Sequence, residues 1–153
     1  MDDRNADLSL ICRVQARLCA LPLAHVVETL RALPVEAVVG APHFVRGLAV
    51  IRGAPVPVVD TARLLGEHAG TGGRFVTVTV GERRVALAVD SVLGVRPVPA
   101  GSLHQLPPLL QEAGADVVAA IGLLDAELLL VLHSTRLLPD DAWGAGEAPG
   151  AAA

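Results

Sequence analysis

Short runs in which apolar and polar residues alternate dominate the chain, and this period of two predicts β-strands. The clearest run is RFVTVTV, which begins at Arg74 and is followed by the turn GERR and the returning strand VALAV. Residues 8–14 and 18–23 predict an earlier hairpin around Gln15-Ala16. VVAAIGLL and ELLLVLH predict a last hairpin, on either side of Asp125-Ala126. The pattern therefore predicts a mainly β protein.

One predicted hairpin, residues 44–59, carries an arginine in its turn. The strands FVRGLAVI and VPVVD flank Arg52-Gly53, and Gly53 supplies the positive φ that such a turn needs. Pro55 and Pro57 lack N–H donors on the same side of their strand, which predicts an outer edge that resists pairing. Two turn types remain open: a two-residue type I′ turn, or a type I turn with a glycine bulge, which shifts the register by one.

Four other segments do not follow the strand pattern. LAHVVETLRAL, from Leu23 to Leu33, has apolar residues at helical spacing and predicts a short amphipathic helix or a turn. TARLLG predicts a helical turn, and EHAGTGG, which has no apolar anchor, predicts a linker. Residues 140–153 have nothing to bury and predict a disordered tail.

Two pairs of similar segments occur in the same order and indicate an internal duplication. ALPLAHV matches ALAVDSV, and VVDTARLL matches VLHSTRLL. The same alignment places the turn Arg52-Gly53 on Asp125-Ala126. We therefore predict two related small barrels packed side by side, with subdomain 1 at about residues 8–66 and subdomain 2 at about residues 74–139.

Composition and charge narrow the possible partners. Hydrophobic residues make up 52% of the chain and aromatic residues only 2%, so the core must be aliphatic. The net charge of −4 argues against nucleic acid or an anionic membrane surface as a partner. The start, MDDRNADLSL, lacks the apolar region of a signal peptide, and no stretch has the length and character of a membrane span. We expect a cytoplasmic protein that does not insert directly into a membrane.

The chain has two cysteines, Cys12 and Cys19, and the first predicted hairpin places them opposite each other on adjacent strands. One interpretation is a disulfide or a redox switch. The other, two reduced cysteines that fill a core, is favoured in a cytosolic chain.

Motifs for catalysis are missing from the sequence. The histidines show none of the HxH, HxxxH or HExxH spacings of metal sites, and neither cysteine belongs to a CxxC pair. The sequence contains no GxSxG, Walker-type or GxGxxG motif. Asp60, Asp90 and Glu28 are isolated acids that we expect to cap turns or face solvent. We predict a protein that is not an enzyme, with no catalytic residues, metal site or cofactor.

The string APHFVRGLAVIRGAPVPVVDTARLLG resembles the signature of the CheW-like family of chemotaxis coupling proteins. The matching positions, which align without a gap, are Pro42, Phe44, Gly47, Ile51, Arg52, Gly53, Pro57, Val58, Val59 and Asp60. VALAVDSVLGV is similar to a second-half strand of the family, and LPLAHVVETL resembles its V-x-E segment. The resemblance spans about residues 8–139, and Val50 stands where the family has asparagine.

This resemblance implies an adaptor built from two five-stranded, SH3-like barrels. Such proteins connect the cytoplasmic tips of methyl-accepting chemoreceptors, which lie in an apolar groove between the barrels, to the regulatory domain of a histidine kinase. The adaptor would then be recruited to membrane-associated receptor arrays. The alternative is a stand-alone regulatory module, or a non-catalytic subunit of an enzyme unrelated to chemotaxis.

The resemblance also implies a set of partner-binding residues: Val26, Glu28, Gly47, Arg52, Gly53, Val92 and Val95. For the three valines, the competing interpretation is plain core packing. For Arg52, the competing interpretation is a solvated turn arginine. The equivalent turn carries Asp125, so the duplication does not require a positive charge at this position.

Overall fold

The computed structural model describes residues 8–107 and 117–133, and these residues form ten strands joined by short turns. One helical turn, α1, spans Thr61–Leu64, and 3-10 turns span Leu23–His25 and Ala100–Ser102. The strands are β1 (Leu8–Val14), β2 (Arg17–Pro22), β3 (Val26–Arg31), β4 (Val45–Ile51), β5 (Ala54–Asp60), β6 (Arg74–Val80), β7 (Arg83–Val89), β8 (Ser91–Pro97), β9 (Val118–Leu124) and β10 (Glu127–Leu132).

The strands divide into two five-stranded sheets of the same design. Barrel A has the order β8-β1-β2-β10-β9, and barrel B has the order β3-β6-β7-β5-β4. Each barrel contains two antiparallel hairpins joined by one parallel contact, β2 with β10 in barrel A and β7 with β5 in barrel B. The predicted fold class, mainly β with two small five-stranded barrels, is confirmed.

The predicted subdomain boundaries, about 8–66 and 74–139, are wrong. Barrel B is continuous in sequence, from β3 to β7 (residues 26–89), and it is inserted between β2 and β8 of barrel A. The chain crosses between the barrels at the turn Leu23–His25 and again at Asp90. Each repeat contributes its first hairpin to one barrel and its last three strands to the other. Local pattern reveals the repeat but does not reveal which sheet each strand joins. The predicted tail lies outside the described residues.

The segment predicted as a helix or turn, Leu23 to Leu33, is instead a 3-10 turn followed by strand β3. The β3–β6 register shifts between Val26 and Glu28, so Val27 is the extra residue of a β-bulge. The bulge interrupts the alternation of β3, and the apolar positions then imitate helical spacing. The β-branched residues Val26, Val27 and Thr29 favour the extended backbone.

The core has three layers. The central cluster lies between the barrels and combines β1–β2 residues such as Leu10 and Leu21 with β6–β7 residues such as Val78 and Leu87. A second cluster, which includes Phe75, fills barrel B, and a third, which includes Ile11, fills barrel A. Both faces of the central hairpins are therefore buried, so Thr77 of β6 is buried even though it is a polar position of an alternating strand.

The β4–β5 hairpin has a two-residue turn. Ile51 pairs with Ala54, and φ is 54° at Arg52 and 79° at Gly53, as in a type I′ turn. The prediction that β5 is an outer edge is wrong for the second half of the strand, which pairs with β7 from Val58 onward. The edge strand of this hairpin is β4.

Candidate partner-binding site

Two of the predicted site residues, Arg52 and Glu28, form an ion pair. Arg52 Nη2 donates to Glu28 Oε1 at 2.7 Å, and Arg52 Nε donates to Glu28 Oε2 at 3.1 Å. Glu28 lies on β3 and Arg52 lies in the turn between β4 and β5, so the pair connects the two edges of barrel B. The sequence assigned both residues to a site but contained no signal that they touch, because they are 24 positions apart.

Only one member of the pair, the arginine, is largely exposed to solvent. The Arg52 side chain is 72% exposed, whereas that of Glu28 is 22% exposed. The hydrogen bond from Arg52 lowers the pKa of the Glu28 carboxyl, and the hydrogen bond to Glu28 raises the pKa of the Arg52 guanidinium. A guanidinium has five N–H donors, so Arg52 keeps donors for a second carboxylate while it holds Glu28.

A cleft of about 450 Å³ lies beside this pair. Its walls include the first half of β5, where Pro55 and Pro57 precede the pairing with β7, and the start of β7 at Arg84. The charge of Arg84 also lowers the pKa of Glu28. The side of the barrel that carries the Arg52 tip is therefore open, and it combines a rim of arginine and glutamate side chains with an apolar wall.

Val26 and Val92 occupy equivalent positions in the two barrels. Both valines are partly buried and pack against the cluster between the barrels. Val92 lies opposite Cys12, and Val26 lies opposite Val78, each on an edge strand. The structure thus places them at the same inter-barrel core, where the sequence predicted a groove.

Val95 is more accessible than the other two valines. It lies on β8 opposite Leu10 and is 46% exposed. Val27 and Leu93, the extra residues of the bulges on β3 and β8, are 39% and 55% exposed. Apolar side chains are thus presented along both edge strands.

The two predicted glycines have conformational roles. Gly47 is buried with φ at 144°, and a Cβ at this position would overlap the backbone carbonyl of Glu36. The amides of Glu36 and Leu48 exchange hydrogen bonds of 2.8 and 2.9 Å across this approach. Gly47 is therefore required for this close approach of the two backbones, and its place in the partner-binding set stays a prediction. Gly53 is exposed in the turn, where φ is 79°.

Asp60 does more than the predicted capping of a turn. Its side chain is 4% exposed, and it accepts the backbone N–H of Arg63 at the start of α1. It also accepts Arg46 Nη2 at 3.2 Å and the Gly70 N–H at 3.3 Å. Arg46 donates in turn to the Gly70 carbonyl at 2.7 Å. This network attaches the linker to the hairpin, so the aspartate of the signature is a buried structural group.

The tip of the equivalent hairpin carries the opposite charge. Asp125 accepts hydrogen bonds from Arg96 at 3.3 and 3.4 Å. Arg96 lies on β8, the edge strand that corresponds to β3. The predicted equivalence of the two turns is confirmed by their backbones, because φ is also positive at Asp125 (51°) and Ala126 (66°).

Across residues 8–107 and 117–133, no group of three or more His, Cys, Asp or Glu side chains is placed to hold a metal ion. No helix within those ranges is long and apolar enough to cross a membrane.

Comparison with known proteins agrees with this architecture. A family model described as the CheW-like domain matches residues 9–142. Protein FrzA of Myxococcus xanthus is 34% identical over 126 residues, which cover 77% of this chain and 76% of that protein. The crystal structure of the scaffolding protein TtCheW from Thermoanaerobacter tengcongensis matches with a TM-score of 0.79, over 90% of this chain and 95% of that chain. Their sequence identity is 20%, so this match concerns the fold.

Proposed function

The chain belongs to the CheW-like family of chemotaxis coupling adaptors, and we propose that it connects chemoreceptor cytoplasmic tips to the regulatory domain of a histidine kinase. The observation that carries this proposal is the Arg52–Glu28 pair, whose guanidinium is 72% exposed at the open side of barrel B. We also propose that the protein acts in the cytoplasm, where it is recruited to receptor arrays.

The tip of barrel B suits a partner that offers a carboxylate. Glu28 orients the guanidinium, so less side-chain entropy is lost when Arg52 meets a second acceptor. Exposed charges of this kind mainly guide association and choose between partners, whereas desolvated ones also add affinity. We propose that Arg52, Gly53 and Glu28 form one contact for the kinase or the receptor.

The inter-barrel surface suits an apolar partner. Val26 and Val92 extend the buried cluster to the edge strands, and Val95 continues it toward the surface. An apolar helix face could pack on these side chains without any rearrangement of the barrels. We therefore assign Val26, Val92 and Val95 to the receptor groove.

A charge exchange tests the role of Arg52. In Arg52→Glu, two glutamates face each other, and we expect binding of the kinase regulatory domain or of the receptor tip to weaken about tenfold. Adding Glu28→Arg restores an ion pair inside the protein but leaves the tip negative. If a partner reads the guanidinium, the double variant stays defective. If the pair only supports the barrel, the double variant recovers.

Arg63→Glu is the matched control, because Arg63 is also exposed and its guanidinium contacts only the His43 carbonyl among the interactions observed. Each variant is first checked by thermal melting and then titrated with both partners. Undiminished binding of both partners by a folded Arg52→Glu variant would refute the assignment.

The groove is tested by Val26→Asp beside Val27→Asp on the same strand. Only the first substitution places a carboxylate against the inter-barrel cluster. We expect Val26→Asp to abolish binding of a receptor-tip peptide, and Val27→Asp to weaken it less. Normal binding by folded Val26→Asp would remove Val26 from the groove.

A further inference from the structure

Cys12 and Cys19 are positioned for chemistry that the adaptor function does not use. They are direct cross-strand partners on β1 and β2, and both are 1% exposed. Both belong to the cluster between the barrels, so their side chains lie on the same face of the sheet. Opposite residues of antiparallel strands have Cα atoms about 4.5–5.5 Å apart, within the range of about 4.4–6.8 Å found in disulfides.

The same pair is next to the predicted receptor groove. Cys12 lies opposite Cys19 on one side and opposite Val92 on the other. The three side chains therefore form a row across β2, β1 and β8, and all three pack in the inter-barrel cluster. A disulfide shortens the sulfur separation to about 2.0 Å, which is well inside van der Waals contact. The space that this movement leaves must be filled by the neighbouring side chains, and Val92 is the nearest in the row.

We propose that Cys12 and Cys19 form a redox modification site, at which hydrogen peroxide converts the two thiols to a cross-strand disulfide and thereby alters the face that carries Val92. One thiolate attacks the peroxide O–O bond, which gives a sulfenic acid and water after protonation. The second thiolate attacks that sulfur and releases a second water. Two thiols are oxidised, one peroxide is reduced, and a disulfide and two waters result.

The fold restrains this reaction. Burial raises the pKa of both thiols to about 12, so only about one thiol in 10⁵ is ionised at neutral pH. Oxidation therefore proceeds through transient separation of the two barrels, which exposes the pair. Once exposed, the thiols lose the effect of burial and have an ordinary pKa of about 8.5, and below this value the rate rises about tenfold for each pH unit. The site consequently responds to conditions that loosen the inter-barrel core and stays reduced in the closed protein.

The test treats the full chain with hydrogen peroxide, blocks the remaining thiols with iodoacetamide in denaturant, and measures the intact mass. We expect the chain to lose two hydrogen atoms and to resist alkylation, without forming covalent dimers. Mild urea and higher pH should each accelerate the change. Cys12→Ala and Cys19→Ala should lose no hydrogen and should retain one alkylatable or oxygenated sulfur. Cys12→Val and Cys19→Val, which keep a larger apolar side chain in the cluster, serve as alternatives if the alanine variants are unstable.

The effect on the groove rests on the proposed function, and it has a separate measurement. Oxidised wild type should bind a receptor-tip peptide about fivefold more weakly than reduced wild type, whereas peroxide should not change the double alanine variant. Two free thiols after treatment in urea, or only intermolecular disulfides, would overturn the proposal. A disulfide without any change in affinity would overturn the link to Val92. If the reduced protein fails to bind the peptide, the receptor assignment fails, while the mass measurement still decides whether the site exists.

Discussion

The hairpin tips of the two barrels have the same backbone and opposite charges. Arg52 in barrel B and Asp125 in barrel A each take the first position of a two-residue turn with positive φ. Each pairs with an oppositely charged residue on an edge strand of its own barrel, Glu28 on β3 and Arg96 on β8. The turn geometry is thus common to the duplication, whereas the charge is not. A residue whose charge the fold does not require is available for recognition, and this strengthens the case for Arg52.

The correspondence extends into the backbone around the hairpins. The Asp60 N–H donates to the Phe44 carbonyl at 2.7 Å, and the His133 N–H donates to the Val117 carbonyl at 2.8 Å. Each hairpin also accepts one isolated antiparallel bridge, at Leu48 in barrel B and at Ile121 in barrel A. Barrel B differs from barrel A in its side chains, since it has a glycine at the bridge and a buried carboxylate at the strand end.

The largest expected effect is at the bridge. Gly47 corresponds to Ala120 in barrel A, and only at Gly47 would a Cβ overlap a neighbouring backbone. We expect Gly47→Ala to lower the free energy of unfolding by about 3 kcal/mol, because the Glu36 segment must move away from β4. Ala120→Gly should cost about 1 kcal/mol or less. Urea unfolding of both variants measures the difference, and a loss for Gly47→Ala no larger than that for Ala120→Gly would mean that β4 accommodates a Cβ at position 47.

A smaller effect is expected where barrel B has its buried carboxylate. Asp60 receives donors from Arg46, Gly70 and the start of α1, and Asn would turn an N–H₂ group toward them. We expect Asp60→Asn to cost about 2 kcal/mol, because it leaves the partly buried Arg46 without its counter-charge. Asp125→Asn, at the exposed tip of barrel A, should change stability by less than about 0.5 kcal/mol. Similar melting shifts for the two variants would contradict the structural role of Asp60.

Substitutions at the second position of the two turns should change the free energy of unfolding in opposite directions. Gly53 and Ala126 both have positive φ, 79° and 66°, and only glycine adopts this conformation without strain. We expect Gly53→Ala to lose about 1 kcal/mol and Ala126→Gly to gain about 1 kcal/mol in the free energy of unfolding. Denaturant titrations that shift both variants in the same direction would show that the two turns do not have equivalent backbones.

The sequence predicted the parts of this fold that depend on neighbouring residues. Alternation located the hairpins, and the Arg52-Gly53 turn and the duplication were visible in short segments. The sequence-based prediction failed at β3, because the bulge at Val27 disturbs the alternation. It also failed at the barrel boundaries, because these depend on long-range strand pairing. The Arg52–Glu28 pair and the Asp60 network were not predictable, because each joins residues that only the folded barrel brings together. The structural role of Gly47 was not predictable either, since only the structure shows the Glu36 backbone against it.

The smallest expected effect is the pH dependence of the tip pair in barrel B. Because the hydrogen bond from Arg52 lowers the pKa of Glu28 in the folded protein, ionised Glu28 favours the folded state. This stabilisation is present above the ordinary carboxyl pKa of 4.5 and is lost as the pH falls through the lower pKa of the folded state. The melting temperature of wild type should thus slightly exceed that of Glu28→Gln near neutral pH, and the difference should disappear in acid. Because Arg52 is largely exposed, high salt should shrink the difference as well. A difference that persists unchanged in acid would mean that Glu28 stabilises the barrel by packing. The orientation of Arg52 would then not depend on the negative charge of Glu28.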